Sequence, residues 1–111
     1  MDLGLTGKIA IITGGSDGLG KAAATRMATE GAKVALAARD QTRLDSAIAD
    51  IMRTSGSDQV IGISTDVMDE SQVVSMVDTV VGTWGGIDIL VNNAGTSATG
   101  KFEEVAIDTW K

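Results

Sequence analysis

The sequence contains no cysteine, no histidine, no tyrosine and no proline. Without cysteine there is no disulfide and no thiolate chemistry. Without histidine the commonest metal ligand and the commonest general base are both missing. Without tyrosine no phenol can serve as acid or base. Nothing in the physics of the chain accounts for the missing proline. Long apolar runs are absent too. None approaches the roughly 18 residues of a membrane span, and the opening Met1 to Lys8 has neither a basic segment nor an apolar stretch of the secretory kind. The expected location is therefore cytoplasmic. Positive charge is scarce, with 9 Lys and Arg against 15 Asp and Glu and a net charge of −6. That balance disfavours nucleic acid and anionic membranes as partners. An anionic ligand has to be held by backbone N–H groups or by single basic residues.

What is present is an ordinary globular composition, 43% hydrophobic and 22% charged over 111 residues, which suits one domain spanning 1–111. Ile9 to Ile12 is an apolar run closed by glycines, the mark of a strand covered on both faces. Lys21 to Glu30 is Ala-rich and predicts a helix ending at Gly31. Val34 to Ala38 predicts a second strand. Asp40 suits the N-cap of a helix carrying Leu44, Ile48, Ile51 and Met52 on one face. Val60 to Ile63 predicts a third strand. Asp69 and Gln72 have capping-box spacing, and Val73, Met76, Val77, Val80, Val81 and Trp84 then step by three and four. Ile87 to Val91 predicts a fourth strand. Strands alternating with helices imply an α/β fold of Rossmann type, a parallel sheet in the order 3-2-1-4 with helices on both faces. The ligand crevice is expected at the carboxyl ends of strands 1 and 4.

The turn after the first strand carries four glycines, Gly14, Gly15, Gly18 and Gly20. Strand, glycine-rich turn and helix in that order make an anion site. The helix N-terminus offers unpaired N–H groups, and glycine lets backbone approach phosphate where a Cβ would collide. Two rival frames exist. Gly15 to Lys21 fits G-x-x-x-x-G-K, but Ala22 stands where a P-loop needs Ser or Thr for Mg²⁺. Gly18 to Ala23 fits G-x-G-x-x-A, but starts several residues after the strand ends. The frame beginning at Gly14 lies directly behind Thr13.

Three motifs in register then resemble the short-chain dehydrogenase/reductase family: Thr13-Gly14-x-x-x-Gly18-x-Gly20, Asp66-Val67 after the third strand, and Asn92-Asn93-Ala94-Gly95 after the fourth. The likeness covers essentially the whole chain, and its opening half is most similar to the 3-oxoacyl carrier-protein reductase type. It implies that Gly14, Ser16, Gly18, Leu19 and Gly20 line the pyrophosphate and adjacent ribose of a nicotinamide dinucleotide. Asp66 then accepts from the adenine amino group, and the Val67 backbone lies beside that ring. Asn93, Ala94 and Gly95 pass under the adenosine ribose toward the nicotinamide, while Asn92 ties neighbouring strands together.

The choice of dinucleotide turns on the end of the second strand. An NAD site wants an acid there for the ribose 2′-OH, and that position is Ala38, followed by Arg39. A planar guanidinium pairs with a 2′-phosphate, so NADP(H) is favoured over NAD(H). Asp17 in the glycine turn argues the other way. Asp40 could reach a 2′-OH but is better placed as an N-cap. The family's Tyr-x-x-x-Lys acid is missing, so no catalytic residue is assigned, neither Ser97 nor Lys101 nor Lys111. The resemblance implies an amino-terminal half whose full-length protein moves hydride between NADP(H) and a small carbonyl or alcohol, as a homo-oligomer. The alternatives are a dinucleotide-binding module without turnover and a P-loop nucleotide-binding fragment.

Overall fold

The computed structural model describes residues 4–14 and 18–92. Four strands alternate with three helices: β1 (Ile9–Thr13), α1 (Gly18–Thr29), β2 (Lys33–Ala38), α2 (Gln41–Ser55), β3 (Val60–Ser64), α3 (Glu70–Trp84) and β4 (Ile89–Asn92). All pairings are parallel and the sheet order is β3-β2-β1-β4, as the alternation of elements predicts.

The strands are apolar except at their ends because both faces of the sheet are covered. Side chains alternate across it. Ile9 and Ile11 of β1 and Ala35 and Ala37 of β2 point toward Val73, Met76, Val77 and Val80 of α3. Ile12, Val34 and Leu36 point toward Ala24 and Ala28 of α1 and Leu44, Ala47 and Ile51 of α2. All five residues of β1 are buried, whereas β4 is half-buried. Small residues on α1 let it lie close, and Gly20 at its first turn is buried.

The starts of α1 and β4 differ from expectation in detail. α1 begins at Gly18, a turn before Lys21, because packing of Gly20 outweighs the poor helix propensity of glycine. β4 begins at Ile89, not Ile87. Asp88 occupies the entry, where its N–H donates to the Ile9 carbonyl (2.8 Å) and its Oδ2 accepts from the Ile9 N–H (2.9 Å). The capping signals hold. Asp40 caps α2 and Asp69 caps α3, both in extended backbone, and Gly56 and Gly85 end those helices in the left-handed region. At the other end of β1, Thr13 Oγ1 donates to Asn92 Oδ1 at 3.1 Å, so Asn92 joins β1 to β4. No helix among the described residues is long and apolar enough to cross a membrane.

Candidate functional site

At the carboxyl edge of the sheet three strand ends open into a cleft of about 300 Å³. Gly14 follows β1, Ala38 ends β2 with Arg39 and Asp40 after it, Thr65 and Val67 follow β3, and Arg43 reaches in from α2. Backbone bonds pin these turns to one another. Gly14 N–H donates to Ala37 O and Thr65 N–H to Ala38 O, each at 2.8 Å. The Ser64 hydroxyl donates to Arg39 O at 3.0 Å.

Gly14 has φ +66° and Gly18 has φ +59°. A Cβ on Gly18 would meet nothing within 4 Å, so backbone conformation rather than crowding demands glycine there. Leu19, beside it in the first turn of α1, is 80% exposed, an unusual position for a large apolar side chain.

The turn between β3 and α3 is held by its own side chains. Asp66 Oδ1 accepts from Met68 N–H and Asp66 N–H donates to Gln72 Oε1, both at 2.9 Å. Asp69 Oδ1 accepts from Ser71 N–H, Ser71 Oγ and Gln72 N–H, and Oδ2 accepts from Gln72 Nε2. The capping box is thus altered: Gln72 reaches back to Asp66 rather than to the Asp69 N–H, which donates to Asp66 O. The Ser71 hydroxyl first, and the Gln72 amide second, hold the Asp69 carboxyl below its ordinary value of 3.8. Asp50 is held low in the same way by Lys21 and then Arg53. Lys21, the lysine of the G-x-x-x-x-G-K frame, has its Nζ 2.7 Å from Asp50 Oδ2, bridging α1 to α2.

The structure brings Gly14, Arg39 and Val67 to one cleft. Gly18, Leu19 and Gly20 form the start of α1, and Asp66 sits on the turn beside Val67. Ser16, Asn93, Ala94 and Gly95, with Asp17, Ser97, Lys101 and Lys111, lie outside the described residues. Sequence reasoning missed Arg43. Its Nε lies 3.8 Å from Asp40 Oδ2. A lining that combines two arginines with small apolar residues suits a ligand that is anionic in one part and flat and apolar in another. Among the described residues no three His, Cys, Asp or Glu side chains gather to hold a metal ion.

The model of the family described as short chain dehydrogenase matches residues 8–111. The chain belongs to the short-chain dehydrogenase family. It is similar to 3-dehydrosphinganine reductase of Danio rerio, 42% identical over 112 residues that cover 98% of this chain and 34% of that protein. The fold matches L-sorbose reductase from Gluconobacter frateurii complexed with NADPH and L-sorbose, with TM-score 0.88, 32% identity, and 99% of this chain against 50% of that one. It also matches NAD+-bound xylitol dehydrogenase, with TM-score 0.84, 26% identity, and 96% of this chain against 47% of that one. The short-chain dehydrogenase chain described here spans less than half the length of the curated relatives it matches.

Proposed function

We propose that this chain is the cofactor-binding portion of an oxidoreductase that passes hydride between NADP(H) and a carbonyl or alcohol carbon. The observation that carries the reading is the cleft at the carboxyl edge, where Ala38 stands at the position an NAD site gives to an acid and Arg39 stands on the rim. With the adenosine end of the dinucleotide in that cleft, its nicotinamide would supply or take up the hydride elsewhere along the sheet edge. The chain's own residues bind and orient it. Gly14, Ser16, Gly18, Leu19 and Gly20 hold the pyrophosphate at the start of α1. Arg39 pairs with the 2′-phosphate. The Val67 backbone borders the adenine, and Asp66, with one carboxylate oxygen already taken by Met68 N–H, offers the other to the adenine amino group. Asn93, Ala94 and Gly95 run on toward the nicotinamide.

Relatives support a dinucleotide and differ in which one, NADPH in L-sorbose reductase and NAD+ in xylitol dehydrogenase. Arg39 is the residue that favours the phosphorylated form here. Calorimetric titration of the protein with NADPH and NADH tests the reading. Binding of NADPH about tenfold tighter, some 1.4 kcal/mol, is expected, and no heat with either dinucleotide overturns it. With no tyrosine in its 111 residues, the chain lacks the Tyr-x-x-x-Lys acid, and we assign it binding without turnover. Ketone-dependent oxidation of NADPH by the purified protein would refute that assignment. In a longer chain the substrate would be a small carbonyl or alcohol compound and the assembly a homo-oligomer.

A further inference from the structure

We infer that Asp50 is a positioning residue for the pyrophosphate: through Lys21 it holds the first turn of α1 closed, in the helical form that receives the anion. The inference rests on the reading that the start of α1 binds the pyrophosphate. Asp50 lies well along α2 and acts through Lys21, not on the ligand itself.

The first turn of α1 is weak by composition. Gly18 enters it with φ +59°, outside helical geometry. Gly20 is buried but has no side chain to grip with, and glycine is about 1 kcal/mol less favourable than alanine in a helix. Leu19 between them is exposed. No acidic side chain in that turn answers the helix dipole, and Lys21 places a cation there, which opposes it. Helix ends fray with little free energy against it. The side chains that seat α1 on the sheet, Ala24 and Ala28, come only later along the helix.

Asp50 supplies the missing tether. Lys21 Nζ stands 2.7 Å from its Oδ2 and Arg53 Nη2 2.6 Å from its Oδ1, so each carboxylate oxygen holds one cation. The Arg53 and Arg26 pairs run within one helix, whereas Lys21 and Asp50 join two, and their side chains are each 34% exposed against 74% and 61% for the arginines. Asp50 is itself firmly placed, because its neighbour Ile51 is fully buried with Leu44 in the core beneath α2. The pair therefore neutralises the misplaced charge of Lys21 and ties the weak turn to a well-seated helix. A turn closed before the anion arrives needs no ordering on binding, and affinity follows the fraction of the protein in which it is closed.

Calorimetry with NADPH and NADH, together with amide hydrogen exchange, on the unaltered protein, Asp50→Asn, Lys21→Met and the double variant tests this. Asp50→Asn is expected to weaken both dinucleotides about threefold with their ratio unchanged, the size of one lost ion pair. Exchange should quicken at Ala22 and Ala23, whose N–H groups close the first turn, while Ala28 keeps its protection. Lys21→Met should do the same, and the double variant should bind no more weakly than either single, because one tether is lost in all three. Unchanged or tighter binding in Asp50→Asn overturns the inference and leaves the proposed function standing. Weaker binding with unchanged exchange at Ala22 and Ala23, or faster exchange along the whole of α1, also overturns it. A double variant that binds more weakly than both singles would place Lys21 on the anion directly, and the inference fails. If the unaltered protein binds neither dinucleotide, the proposed function falls and takes this inference with it.

Discussion

The turns that follow β2 and β3 are built alike and finished differently. Each runs from a strand end to an Asp that caps the next helix in extended backbone. After β3 the polar groups answer one another. Asp69 takes Ser71 and Gln72, and Asp66 takes Met68 while its own N–H goes to Gln72. After β2, the Asp40 carboxylate accepts from the Arg43 N–H at 3.1 Å and lies 3.8 Å from Arg43 Nε. One turn is complete as protein. The other brings two arginines, Arg39 and Arg43, to the cleft, in a chain whose net charge is −6. A local surplus against the overall sign is a sharper pointer to an anion than a basic patch on a basic protein.

That contrast can be broken in several ways. The largest effect is expected from Leu44→Ala. Leu44 is fully buried under α2, and its loss should cost about 2–5 kcal/mol in urea unfolding, loosening the helix that carries Arg43. Unchanged stability would mean the β2 turn is not anchored by that packing. Next is Arg39→Asp, which should lower the NADPH to NADH affinity ratio about 100-fold, as loss and reversal of a charge-assisted contact implies. An unchanged ratio in paired titrations removes Arg39 from the phosphate.

Asp69→Ala should lower the melting temperature by a few degrees, and by more than Asp40→Ala does, since Asp69 holds more donors, yet leave the NADPH to NADH ratio alone. The sign of its pH dependence follows from its lowered carboxyl. The stabilisation is fully present above the ordinary value of 3.8 and is lost as pH falls through the lower folded-state value. Acid unfolding curves of the two forms should therefore converge below pH 3.8 and separate above it. The smallest effect belongs to Ser64→Ala, which removes the hydroxyl that holds the Arg39 carbonyl. The affinity ratio should fall about twofold, as loss of an exposed hydrogen bond implies, and a drop as large as that of Arg39→Asp would show that the backbone, not the guanidinium, makes the site.

The architecture was legible because its signals are local and repeat. Apolar runs closed by glycine mark strands, Asp40 and Asp69 announce helix starts, and the Val73 to Trp84 stripe fixes the face of α3. Strand order followed from parallel crossovers. What stayed hidden depends on residues brought together from afar. Asp88 reads as an interruption within an apolar run, and only the pairing of β1 with β4 shows its carboxylate on Ile9. Gln72 has the spacing of a capping box, but in the turn after β3 it accepts from the Asp66 N–H, while the expected donor, the Asp69 N–H, goes to Asp66 O. Arg43 did leave a trace. It lies three residues beyond an N-cap Asp, where a cation runs against the helix dipole, a misfit visible in the sequence but not used there.

The bond between Asp88 and Ile9 spans 79 residues, and it closes the side of β1 that faces β4. During synthesis the first strand can pair with β2 early, but its other row of backbone groups has no partner until β4 emerges. At about 5–20 residues per second on the ribosome, that interval is roughly 4–16 s. The most buried strand of the nascent chain is thus, for those seconds, an open edge of the kind that recruits stray strands.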